Sequence, residues 1–162
     1  RLLGHSVHQM LIVFPVGLLA TAVLFDVAYL ASGRELMAAV SYWVMAAGLI
    51  GGLVAAPFGL VDWLAIEPGT RARRIGKVHG LGNVVMLALF AVSWWLRGSA
   101  DEPPAAAALA LSFAGAALAM FTAWLGGELV ARLGVGVYER ANVNAPSSLG
   151  EHEGEPRQLH GH

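Results

Sequence analysis

The sequence predicts an all-α membrane protein, a four-transmembrane-helix up–down bundle with both termini cytoplasmic. Three observations predict it. The 162 residues are 57% hydrophobic and only 13% charged, against about a quarter charged in a soluble domain. The apolar residues gather into four long runs. The basic residues fall almost entirely on one side of those runs.

The first run spans about residues 7–30 and contains a single charge, Asp26. It is longer than a typical signal core and lacks a small-residue cleavage pattern, so it reads as structure. The others cover about 36–64, 78–96 and 105–133. About 20 apolar residues cross the hydrocarbon layer, and a helix satisfies its backbone within that span. The connections are the turn 31–35, a basic loop at 65–77 and the polar loop 97–104 with its Pro–Pro stop. Residues 1–137 therefore form the membrane domain. The tail 138–162 has no apolar periodicity and reads as a solvated segment, with incidental His152, His160 and His162.

Orientation follows from charge. Arg1, Arg71, Arg73, Arg74, Lys77, Arg132, Arg140 and Arg157 lie on the side of the termini, against Arg34 and Arg97 opposite. Eight against two places both termini in the cytoplasm, and hence the chain as a multi-pass protein of the inner (cytoplasmic) membrane. The basic segment 71–77 is a topology determinant and a contact for anionic lipid.

Small residues mark the packing faces, with Gly48 and Gly52 in the second helix and Gly115, Ala119, Ala123 and Gly127 in the fourth. Pro15 and Pro57 should kink helices one and two.

In an up–down bundle, His5, His8, Asp62, His79, Asn83 and Glu128 all reach the cytoplasmic end, so each helix delivers a ligand-type residue there. Polar groups in spans face the bundle interior, pair or line a path. Asp26 lies at the other end, with Arg34 or Arg97 as its candidate partner. Two cofactor chemistries fit the cluster. One is a b-type haem with His8 and His79 as axial ligands and Arg71 and Arg74 beside its propionates. The other is a non-haem Fe, Zn or Mn ion held by His5 or His8 with Asp62, His79 and Glu128. With zero cysteines, thiolate sites and disulfides are excluded.

The opening GHSVHQMLIVFPVGLL is similar to GHPxHPxLVxFPIGLL, the opening of a widespread bacterial membrane-domain family, domain of unknown function twenty-two thirty-one. Phe25–Asp26, Gly59–Trp63, Pro68–Arg71, His79 with Asn83, Trp124–Val130 and Gly134–Val137 extend the resemblance over about residues 4–140. The resemblance implies a four-helix membrane fold. Relatives resemble membrane regions joined to Rieske or cytochrome c domains, which implies redox work. This chain carries Ser6 and Gln9 where the family usually shows proline, which should loosen the entry into helix one.

The functional expectation is electron transfer through a haem, with three alternatives: a non-haem metal site, a structural or accessory subunit of a larger membrane complex, or a proton or ion path ending at Asp26. The partners are the lipid bilayer, a redox protein or larger complex, and a second copy as a homo-oligomer. Nothing points to nucleic acid, a nucleotide loop or a catalytic triad.

Overall fold

The structure, a computed structural model, describes residues 6–138, 141–145 and 147. Among them, four helices are long and apolar enough to cross a membrane: α1 (Val7–Ser32), α2 (Glu35–Leu64), α3 (Arg71–Leu96) and α4 (Ala106–Arg132). His5 and the tail histidines lie outside the described residues.

The helix ends follow local chemistry. α1 is interrupted at Ile12, between a short turn Val7–Leu11 and the long segment Val13–Ser32. Pro15 accounts for the break, because it offers no N–H to the Leu11 carbonyl and its ring crowds that oxygen. Gly33 closes α1 in the left-handed region at φ +67°, its N–H bonded to Tyr29 O at 2.8 Å. Thr70 caps α3 by accepting from the Arg73 N–H at 3.2 Å. The basic segment expected as a loop is therefore helical: Arg71–Lys77 forms the first turns of α3, and the connection shrinks to residues 65–70. The last turn of α4, Glu128–Arg132, is a π-helix.

Arg73 is what makes this short connection hold. Its Nη1 donates to the carbonyls of Trp63 and Leu64 at 3.3 and 2.9 Å and also to that of Ile66. These carbonyls close the C-terminal turn of α2 and the start of the connection, where helical N–H partners run out. The guanidinium lies 4.4 Å from the centre of the Trp63 ring, and Trp63 Nε1 donates back to Arg73 O at 3.0 Å.

α1 packs along α2, and α3 along α4, over much of their lengths; the α2–α3 and α1–α4 seams are thinner. The bundle is thus two hairpins laid together. Its core is Leu19, Ala22, Met45, Met86 and Phe90. Large apolar side chains such as Leu24, Leu53, Val84, Trp95 and Trp124 point outward, as a lipid-facing surface requires.

The two hairpins share one register. Asp26 and Arg97 are 71 residues apart, and the same offset relates His8 to His79 and Leu19 to Phe90. Leu19 covers Gly48, where an added Cβ would meet its side chain at 2.8 Å. Phe90 covers Gly115 in the same way, at 2.9 Å. On α2 and α4 one constant spacing takes Gly48, Ala55 and Gly59 to Gly115, Thr122 and Gly126.

Candidate functional site

His8 and His79 are held by the same device. Nδ1 of His8, on α1, donates to Ala55 O of α2 at 3.2 Å. Nδ1 of His79, on α3, donates to Thr122 O of α4 at 2.9 Å. Each accepting carbonyl sits four residues before a glycine that makes room for the ring. A Cβ on Gly59 would stand 2.8 Å from His8 Cε1, and one on Gly126 3.1 Å from His79 Cε1. A carbonyl can only accept, so Nδ1 carries the proton in both rings and Nε2 keeps its lone pair.

The Nε2 atoms differ. Asn83 Nδ2 donates to His79 Nε2 at 3.1 Å, one turn along α3. Among the described residues, His8 is hydrogen-bonded through Nδ1 alone.

The carboxylates expected beside the imidazoles are engaged elsewhere. Asp62 accepts from the Ser6 hydroxyl at 2.6 Å. Glu128 pairs with Arg71 at 2.7 Å and with Arg132 at 3.5 Å. Among the described residues, no three of His, Asp and Glu come together as a group fit to hold a metal ion. Of the residues expected at this end, the structure thus gives His79 and Asn83 one shared contact, and ties Asp62 and Glu128 to other partners. Arg71 spends one nitrogen on Glu128, and Arg74 is exposed.

The entry into α1 is anchored. Ser6 and Gln9, the positions at which the resemblance leads one to expect proline, both make bonds that proline has no side-chain group to make. Ser6 reaches Asp62, and Gln9 Nε2 reaches Val135 O at 3.5 Å, with Gly136 leaving space for the amide. Side-chain bonds stand where ring stiffness was expected, so the anticipated loosening is offset.

A meeting of all four helices does occur, but at the opposite end. Asp26 of α1 accepts from both terminal nitrogens of Arg97, which follows α3, at 2.8 and 2.7 Å. Ser41 of α2 and Ser112 of α4 complete its shell at 2.6 and 2.8 Å. Asp26 is fully buried and Arg97 only 3% exposed. Arg34, the other candidate partner, is exposed in the α1–α2 turn. The sequence signal for Asp26 was its isolation in an apolar run, and Arg97, at the head of the polar loop, was one of two candidate partners for it. Ser41 and Ser112 gave none, since a serine in a span commonly bonds its own helix.

The model of the family described as "Predicted membrane protein (DUF2231)" matches residues 4–139. The chain belongs to the DUF2231 family. That match takes in all four helices of this DUF2231 protein, both imidazoles and the buried ion pair. No curated protein and no solved structure matches the chain.

Proposed function

We propose that this DUF2231 protein holds a b-type haem between His8 and His79 and passes electrons across the cytoplasmic end of the bundle. The side is assigned from the basic residues that flank the helices on the side of the termini. The observation that carries the reading is the matched pair of imidazoles, each donating Nδ1 to a backbone carbonyl. A ligating histidine takes that arrangement, because the outer hydrogen bond fixes the tautomer and leaves Nε2 for the metal.

The donor set fits a haem better than a bare ion. Two neutral imidazoles suffice as axial ligands for haem iron, whereas Zn, Mn or non-haem Fe would require Asp62 or Glu128 to leave Ser6, Arg71 and Arg132. With both carboxylates engaged, their repulsion of haem propionates is reduced. Arg71 and Arg74, in the first turn of α3, supply positive charge for those propionates. A bound haem would contribute one-electron chemistry. The chain's own part is to fix two rings through Ala55 and Thr122 and to leave them space at Gly59 and Gly126.

The deciding experiment is a visible spectrum of the detergent-purified protein titrated with hemin, oxidised and then dithionite-reduced. The expected result is a Soret band with sharp α and β bands on reduction, lost in His8→Ala and His79→Ala. A spectrum with no protein-dependent bands would end the reading and leave the imidazoles as interhelical locks of an accessory subunit.

A further inference from the structure

The two halves of the imidazole pair differ one turn after the ring. The 71-residue offset that relates His8 to His79 and Asp26 to Arg97 also relates Ile12 to Asn83. Four residues after His79 stands an amide, and four residues after His8 an aliphatic side chain. Asn83 Nδ2 occupies the His79 lone pair at 3.1 Å; Ile12 has no donor to do the same at His8.

We infer that Asn83 is a masking residue: it covers the ligand atom of His79, while that of His8 has no hydrogen-bond partner among the described residues. The site then presents one imidazole without such a cover and one that an incoming electron-pair acceptor must take from Asn83. His79 Nε2 cannot bond the amide and a metal centre with the same lone pair. The inference rests on the haem reading only in naming iron as the acceptor. In that case His8 is the firm axial ligand and His79 the exchangeable one, and Asn83 positions His79 without touching the iron.

The mask has a test that needs no haem. Diethyl pyrocarbonate transfers its ethoxycarbonyl group to an imidazole lone pair, releasing ethanol and carbon dioxide, and mass spectrometry of the peptides reports each histidine separately. The wild-type protein should be modified at His8 faster than at His79. In Asn83→Leu and Asn83→Met, neither of which donates a hydrogen bond, the His79 rate should rise roughly fivefold, the ratio set by one hydrogen bond of typical net strength. The His8 rate should not move. Two variants of different shape guard against a packing effect, and a retained melting temperature identifies a folded sample. Equal reactivity of the two histidines in the wild type would overturn the inference. So would a His79 rate unchanged in a folded variant.

Hemin titration then separates the two ideas. With haem bound, Asn83→Leu should increase the low-spin, bis-imidazole fraction and lower carbon monoxide uptake by the reduced protein. An unaltered spin state would overturn His79 as the exchangeable ligand. Failure to bind hemin alongside the expected modification rates would remove the haem and leave the mask standing.

Discussion

Asp26 and Arg97 meet through two parallel hydrogen bonds of 2.8 and 2.7 Å, each joining one guanidinium nitrogen to one carboxylate oxygen. The contact crosses the seam between the hairpins, and both residues are removed from lipid and water alike. Truncating either one leaves the other charge buried without its counter-ion, a loss of about 3–5 kcal/mol. Asp26→Ala and Arg97→Ala should therefore each unfold in detergent far below the wild type. The double replacement Asp26→Leu with Arg97→Met should recover most of the loss, because no orphan charge remains. If the single variants melt no lower than Arg34→Ala, an exposed control, the pair does not hold the hairpins together.

A second prediction concerns the glycines behind the imidazoles. Gly59→Ala puts a methyl group 2.8 Å from the His8 ring, whereas a Cβ at Gly17 meets nothing within 4 Å. Gly59→Ala should cost about 1–3 kcal/mol, as overpacking does, and weaken hemin uptake. Gly17→Ala should be neutral or add up to about 1 kcal/mol through helix propensity. Equal melting temperatures and equal hemin affinity for the two variants would show that the ring does not need the space.

Arg73 gives a third. Lysine keeps the charge but lacks the planar fork and the stacking face that serve the end of α2 and Trp63. Arg73→Lys should cost roughly 1–3 kcal/mol and increase amide hydrogen exchange across residues 63–70. Exchange indistinguishable from wild type would mean that the short connection closes without the arginine.

The membrane fold was legible because its cause is bulk composition: long runs with one interior charge admit few solutions other than spanning helices. The start of α3 was misplaced because Arg71–Lys77 is too polar to register as a span. Helix there is set by the Thr70 cap and by Arg73, neither of which depends on hydropathy. The placement of His8 and His79 near the start of helices one and three was legible, but their bonding was not. Side chains that seek ligand-like partners can also be satisfied by backbone carbonyls, and the sequence does not say which carbonyl will be near. The carboxylates Asp62 and Glu128 were drawn toward a common site on the strength of depth alone. Depth fixes the level of a residue along the bundle, but the direction it faces depends on helix rotation, and Ser6 and Arg71 were the nearer partners.

The shared register of the hairpins has a consequence for how they recognise each other. Two identical subunits meeting about a two-fold axis set each residue on that axis against its own copy. Had the hairpins been identical, position 26 would confront a second Asp or position 97 a second Arg, and like charges would repel at a site buried from water. Carried in a single polypeptide, the two positions are free to differ, and here they differ by a full unit of charge in each direction. Each half consequently matches the other half better than it matches itself, which discourages like hairpins of neighbouring molecules from pairing in a crowded bilayer.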